Sequence, residues 1–153
     1  MMIKGELKAA GVRLAIVASR FNEEIVAGLI LGAKRAIVKA GGDWDKVAVY
    51  RVPGAFEIPL AAQRAIESGK FDAVIGIGCL IQGETPHFEY ISQQTSLGIG
   101  RVALDTGVPV SFGVITVNTD EQAEARSGDN DENNKGYDAA NAAIEMVDLL
   151  RQM

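Results

Sequence analysis

Cysteine, histidine and tryptophan are scarce in this sequence of 153 residues, each occurring once as Cys79, His87 and Trp44. A single cysteine cannot form an internal disulfide, and one histidine with one cysteine offers no cluster for zinc or copper. The sequence therefore predicts a protein of a reducing compartment without a zinc or copper site, and we expect it in the cytoplasm.

Long apolar runs and an excess of positive charge are also missing. The longest apolar run, residues 73–81, is far shorter than the ~20 residues that cross a bilayer. Charged residues interrupt residues 1–10, so the start lacks the hydrophobic region of a signal peptide. The net charge of -5 gives no broad cationic surface for a polyphosphate backbone. We expect neither a membrane nor a nucleic acid as a partner.

Four segments rich in valine and isoleucine predict β-strands, and segments with helical spacing of apolar residues separate them. The strands lack clean polar alternation, which is typical of strands buried on both faces. This order predicts an α/β fold, a three-layer α/β/α sandwich of flavodoxin-like type with a four-stranded parallel sheet. No linker or repeat divides the chain, so we expect one domain over residues 1–153. The predicted strands cover residues 13–18, 47–52, 73–81 and 108–117.

Several local signals mark the ends of the predicted helices. Asn22 is placed to cap the first helix, while Gly41 and Gly69 follow the last apolar turns of the first two. The polar run at 127–135 predicts a loop before the last helix. Residues 1–10 form a predicted N-terminal arm that either pairs with the sheet edge of a neighbouring subunit or frays.

Unusual residues follow three of the predicted strands, at segments 19–22, 52–57 and 82–87. In an open parallel sheet, ligands bind beyond the carboxyl ends of the strands, where loops and helix N-termini converge. These three segments should therefore surround one small-molecule site.

Proton transfer at that site is a role for His87. Thr85 and Pro86 have the pattern of a helix start, with Thr85 as the cap, which puts His87 at the positive end of the helix. That field disfavours imidazolium, and a neutral imidazole takes up and returns protons near neutral pH. The alternative is a surface histidine without chemistry.

An anion fits the same helix start, because Gly83, Glu84 and Thr85 leave backbone N–H groups free there. The carboxylate of Glu84 must then turn outward, and an ordinary capped turn is the alternative interpretation. A phosphate also needs a fixed cation, for which Arg126 is a candidate, although a single arginine is more often solvated.

Aromatic residues in two loops favour a flat ligand. Phe21 and Phe56 lie where packing gives little reason for a ring, so either can stack on a heterocycle or belong to the core. Glu57 either accepts hydrogen bonds from hydroxyls or complements a helix dipole. Cys79 is interpreted as a buried strand thiol.

Four separated motifs resemble the lumazine synthase family from end to end. They are SRFN at residues 19–22, VPGAFEIP at 52–59, GETPHF at 83–88, and NKG at 134–136 followed by AIEM at 143–146. Their order and spacing over nearly the whole chain carry the resemblance, since no single motif suffices.

The resemblance implies condensation of 5-amino-6-ribitylaminouracil with dihydroxybutanone phosphate to give dimethyl-ribityllumazine, phosphate and water. Such a condensation needs positioning and proton transfer, and no metal or redox cofactor. The resemblance further implies that Phe21 stacks on the pyrimidine and that the main chain of residues 79–81 (Cys79, Leu80 and Ile81) holds the ring edge. Ala55, Phe56 and Glu57 then line the ribityl side. Gly83, Glu84, Thr85 and Arg126 surround the phosphate, and His87 transfers protons.

The resemblance also implies an assembly. Phe112 and Lys135 match pocket positions, with Phe112 reaching in from the adjacent subunit of a homopentamer. An icosahedral shell and riboflavin synthase as a partner are further possibilities of the family. Two departures concern the phosphate region: many relatives have arginine in place of Gln82 and a small residue in place of Glu84. The stretch 126–135 is one residue longer than in shell-forming relatives, which leaves the size of the assembly open.

Two other functions compete with synthesis. A non-catalytic flavin or nucleotide-binding module can use the same fold. A flavodoxin-type phosphate loop should follow the first strand with small hydroxyl residues and glycine, whereas the chain has Arg20, Phe21 and Asn22 there. A purely structural shell protein would have no reason to keep His87 and Arg126 at one pocket.

Overall fold

Four parallel strands form the central sheet of a computed structural model that describes all residues, 1–153. They are β1 (Leu14–Ser19), β2 (Ala48–Val52), β3 (Ala73–Ile81) and β4 (Val110–Val117). Their spatial order is β2-β1-β3-β4, and Val17 of β1 pairs with Tyr50 of β2 and Gly76 of β3. The predicted parallel sheet and flavodoxin-like α/β/α class are confirmed.

Five helices connect and follow the strands: α1 (Glu23–Lys39), α2 (Ile58–Glu67), α3 (His87–Thr106), α4 (Asp120–Ala125) and α5 (Lys135–Gln152). Gly41 and Gly69 have positive φ angles of 88° and 71°, a region in which a side chain is strained, so both end a helix as predicted. None of the five helices combines the length and the hydropathy of a membrane-spanning segment.

The core consists of two clusters, one on each face of the sheet. Side chains alternate along β1, so Ile16 faces α1 and α5 whereas Val17 faces α2 and α3. On the second face the strand glycines of β3 make room for helix side chains. A Cβ on Gly76 would lie 3.2 Å from Ile58 and 3.3 Å from Ile99. Close helix packing therefore accounts for this glycine.

The prediction that all strands are buried on both faces holds for β1 and is wrong for β2. Val49, Tyr50 and Arg51 in β2 are exposed, because β2 is an edge strand of the sheet and α2 covers it only in part. β4, at the other edge, is also partly exposed.

The N-terminal arm lies against α5. Glu6 N donates to the Asp148 carboxylate at 2.8 Å, Gln152 Nε2 donates to the Lys4 carbonyl at 3.2 Å, and Gly5 is buried against Glu145. The arm forms no strand within the chain. Its pairing with a neighbouring subunit stays a prediction.

Candidate active site

A cavity of about 510 Å³ opens beyond the carboxyl ends of β1 and β3. These two strands are neighbours in space but not in sequence, and such a switch point is where open parallel sheets bind ligands. Loops after three strands, the end of β3 and the beginning of α3 form its walls. The lining residues are Phe21, Pro53, Gly54, Ala55, Phe56, Glu57, Cys79, Leu80, Ile81, Gly83, Thr85, His87, Phe88 and Ile91. We call this the ring cavity.

Phe21 stands at the mouth of the ring cavity, with 69% of its surface exposed. The next residue, Asn22, is the one non-glycine residue with positive φ, at 59°. Its Nδ2 donates to the Cys79 carbonyl at 2.9 Å, which ties the loop after β1 to the end of β3. Asn22 precedes α1, but its side chain makes no capping hydrogen bond. The prediction that Asn22 caps the first helix is therefore wrong, because its amide binds β3 instead.

The segment after β2 supplies the second aromatic ring. Ala55–Glu57 forms a single 3-10 turn in which Ala55 is buried and Phe56 is exposed. Glu57 Oε2 accepts a hydrogen bond from Gly54 N at 2.9 Å. No hydrogen bond from the chain reaches the other oxygen, Oε1, which is therefore available to a hydroxyl of a ligand.

The third wall is the start of α3. The helix begins at His87 with Pro86 at the capping position, and no side chain caps it. The prediction that Thr85 caps this helix is wrong, because the start is shifted by one residue. The backbone N–H groups of Thr85, His87 and Phe88 donate to no atom of the chain. They are therefore free to bind an anion beside the exposed imidazole of His87.

Cys79 lines the ring cavity, but its thiol is not a reactive group. Burial, together with the charge of Asp120, raises the pKa of its thiol from 9.0 to about 11, so the nucleophilic thiolate is rare at neutral pH. The prediction of a buried strand thiol is confirmed.

A second cavity of about 400 Å³ lies along β4 and α5. Its walls include Phe112, which is 47% exposed, Arg126 directly after α4, and Lys135 at the start of α5. The guanidinium Nη1 of Arg126 donates to the Gln122 carbonyl at 2.9 Å, and Lys135 Nζ lies 3.0 Å from the Asp138 carboxylate. We call this the cation cavity.

The predicted site residues are therefore divided within one chain. Most of them line the ring cavity, whereas Phe112, Arg126 and Lys135 line the cation cavity, and no residue lines both. Glu84 is exposed and lines neither. Thus Gly83 and Thr85 do not share a cavity with Arg126 in the single chain.

Some site residues were not predicted. Phe88 and Ile91 line the ring cavity from one face of α3, and their spacing of three residues on a helix is the signal that would have found them. The αL conformation of Asn22 has no comparable signal in the sequence. No group of three or more histidine, cysteine or acidic side chains is placed to hold a metal ion.

Fold and site together define a class: a flavodoxin-like α/β/α protein whose ligand cavity lies at the topological switch point. Comparison with known proteins defines the family. The family model for 6,7-dimethyl-8-ribityllumazine synthase matches residues 11–151. The chain belongs to this family.

Three similar proteins bear the name 6,7-dimethyl-8-ribityllumazine synthase. The protein of Syntrophus aciditrophicus is 51% identical over 150 residues, which are 98% of this chain and 97% of the relative. Those of Chloroherpeton thalassium and Chlorobium chlorochromatii are 50% and 49% identical over 151 residues, which are 99% of this chain and 97% of each relative.

Proposed function

We infer that this chain condenses 5-amino-6-(D-ribitylamino)uracil with 3,4-dihydroxy-2-butanone 4-phosphate, giving 6,7-dimethyl-8-ribityllumazine, phosphate and water. This is the penultimate step of riboflavin biosynthesis, and the activity is that of a transferase. One observation carries the inference: residues of three separate family motifs, among them Phe21, Phe56 and His87, converge on one cavity. No observation favours a non-catalytic flavin or nucleotide-binding module.

The pyrimidine ring binds in the ring cavity under this proposal. Phe21 is exposed at the mouth, so its face is free to stack on a flat ring. The peptide groups of residues 79–81 at the end of β3 hold the polar ring edge, because backbone N–H and C=O groups can pair with a uracil. Ala55, Phe56 and Glu57 line the ribityl chain, and the unpaired Glu57 Oε1 accepts from its hydroxyls.

The sugar phosphate binds at the start of α3. Free N–H groups at a helix N-terminus attract an anion through hydrogen bonds and the helix dipole. Gly83, Glu84 and Thr85 provide this turn, with the Glu84 side chain pointing to solvent. Arg126 supplies the fixed charge that neutralises the phosphate as it leaves.

His87 transfers protons between the two substrates. The amine attacks the ketone, water is lost to form the imine, phosphate is eliminated, and the ring closes with loss of a second water. Each step moves a proton to or from nitrogen, oxygen or carbon, and a positioned imidazole does this near neutral pH. Holding the two substrates together supplies much of the remaining acceleration.

We propose that the complete site forms between two copies of the chain. Phe112, Arg126 and Lys135 of one copy then close the ring cavity of its neighbour, which explains why they line a separate cavity within one chain. A cyclic pentamer, the assembly that the family resemblance implies, joins such unlike surfaces head to tail. The arm at 1–10, a shell, riboflavin synthase as a partner, and a cytoplasmic location stay predictions of the sequence.

Mixing the purified protein with both substrates tests the activity directly. We expect steady formation of a fluorescent lumazine and one phosphate for each lumazine formed. A protein that binds ribityl analogues but forms no lumazine above the spontaneous rate would contradict the proposal. Analytical ultracentrifugation of the same sample tests the assembly independently of turnover.

A further inference from the structure

Asn134 is a polar residue buried completely between three segments of the chain. Its Nδ2 donates to the Gly28 carbonyl at 3.1 Å and to the Gly128 carbonyl at 2.9 Å. Its Oδ1 accepts from Tyr137 N at 3.0 Å. One side chain therefore connects α1, the loop before α5, and the first turn of α5. A buried amide with all these partners satisfied fixes their relative positions.

Small residues make this close approach possible. A Cβ on Gly32 would collide with the Asn134 amide, one on Gly28 with the Ser127 carbonyl, and one on Gly136 with the Leu29 carbonyl. The loop before α5 therefore rests directly on the backbone of α1. Because α1 packs on the sheet core, this contact fixes the loop relative to the rest of the fold.

Both cations of the cation cavity flank this fixed loop. Arg126 begins it and Lys135 ends it, and Lys135 N donates to the Arg126 carbonyl at 2.9 Å, which closes the loop at its base. Arg35 of α1 adds a second anchor, since its side chain donates to the Asp131 carboxylate at 2.6 Å. Asn134 is adjacent to Lys135 and does not itself line the cavity.

We propose that Asn134 is a positioning residue, which holds Arg126 and Lys135 in the orientation that the reaction requires. The proposal rests on the proposed function, because it assigns the two cations to the substrate phosphate and ring. Asn134 touches neither substrate. It restricts the conformations of the loop at 127–135. The guanidinium of Arg126 then loses little conformational entropy when the phosphate binds.

The test uses two substitutions of Asn134 and one control. Asn134→Asp keeps the shape and the acceptor but removes both N–H donors, and Asn134→Ser keeps a small polar group. Asn130→Ala is the matched control, because Asn130 lies in the same loop and its side chain accepts only from Glu132 N nearby. We expect the two Asn134 variants to lose about 10- to 100-fold in kcat/KM at unchanged assembly, and the control to lose little.

A double-substitution cycle separates positioning from general destabilisation. If Asn134 acts through the two cations, the same substitution made in a background that carries both Arg126→Ala and Lys135→Ala should lower kcat/KM less than twofold. An equal loss in both backgrounds would overturn the proposal, as would failure of both Asn134 variants to fold, since Asn134 would then be a structural core residue. Wild-type protein without turnover would instead refute the proposed function, so the two failures are distinguishable.

Discussion

The ring cavity and the cation cavity differ in what they can bind. The ring cavity has two exposed phenylalanines, one imidazole and free backbone N–H groups, but no lysine or arginine lines it. The cation cavity has Arg126 and Lys135 beside a single phenylalanine, and it lies against an edge strand. Asp138 also lines it and pairs with Lys135, whereas Arg126 has no acidic partner. One cavity suits a flat neutral ring, and the other suits an anion.

Because their lining residues differ in this way, neither cavity alone is a complete site for a reaction that joins a heterocycle to a sugar phosphate. The anion-binding turn at the start of α3 has dipoles but no fixed positive charge. A fixed guanidinium stabilises a departing phosphate more strongly than dipoles alone. The two cavities are complementary, and under the proposed function the reaction uses both.

Removing the cation should have the largest effect. We expect Arg126→Ala to lower kcat by about 10²- to 10³-fold, the typical cost of removing one preorganised charge-stabilising group. Steady-state rates at saturating pyrimidine measure this. Arg64→Ala is the matched control, because Arg64 lies on α2 and pairs only with Glu67 nearby. An equal loss of kcat in both variants would mean that the net charge of the protein, and not the position of Arg126, determines the rate.

Removing the imidazole should cost less. We expect His87→Ala to lower kcat by about 10²-fold or less, since water partly replaces a proton carrier but cannot replace a fixed cation. The two variants should be compared under identical conditions. A greater loss for His87→Ala than for Arg126→Ala, with both proteins folded, would reverse this ranking and make proton transfer the dominant contribution.

Removing the aromatic ring of Phe21 at the mouth of the ring cavity should mainly weaken binding of the pyrimidine substrate. We expect Phe21→Ala to weaken affinity for the pyrimidine substrate by about 1 kcal/mol, or roughly fivefold, which is the value of one stacking contact. Isothermal titration with the pyrimidine substrate, in the absence of the sugar phosphate, measures it. Phe21→Leu keeps apolar volume without a flat face, so affinity that fully recovers with leucine would argue against stacking.

The smallest effect on turnover should come from Cys79. We expect Cys79→Ala to leave kcat nearly unchanged, because the raised pKa keeps the thiol protonated and the cavity uses only its main chain. The thiol of Cys79 should instead affect the stability of the folded state at high pH. The unfolded thiol ionises above its ordinary pKa of 9.0 and the folded one only near 11, so the folded state loses stability as pH rises through this interval.

Unfolding by denaturant at about pH 8 and about pH 10.5 checks that sign. The wild type should lose about 2 kcal/mol more than Cys79→Ala between the two pH values. A wild type that gains stability relative to the variant at the higher pH would contradict the assignment.

The sheet could be predicted from the sequence because its two central strands, β1 and β3, are continuous apolar runs. β2 carries Tyr50 and Arg51 among its apolar residues, and its exposure follows from its position at the edge of the sheet. Helix caps could not be predicted from the local sequence, because a side chain that could cap its own helix can instead bond to a distant segment. The Asn22 amide binds the Cys79 carbonyl from a distant strand instead of its own helix.

The part of the candidate site that depends only on the topology of the sheet could be predicted from the sequence. Parallel strands bring their carboxyl ends together, so Phe21, Glu57 and His87 gather without further information. The position of Arg126 depends on how the loop at 127–135 packs on α1 through Asn134, a contact between residues more than a hundred positions apart in sequence. That arrangement, and the separation of the two cavities, emerged only from the structure.

Mixed assemblies test the central claim most directly. Chains with Phe21→Ala and His87→Ala lack a working ring cavity, and chains with Arg126→Ala lack a working cation cavity. If each site joins cavities from two copies, random co-assembly in equal amounts should restore about one quarter of wild-type turnover. Differently tagged chains verify the mixing. Activity that stays at the mean of the two separate variants, despite verified mixing, would contradict a shared site.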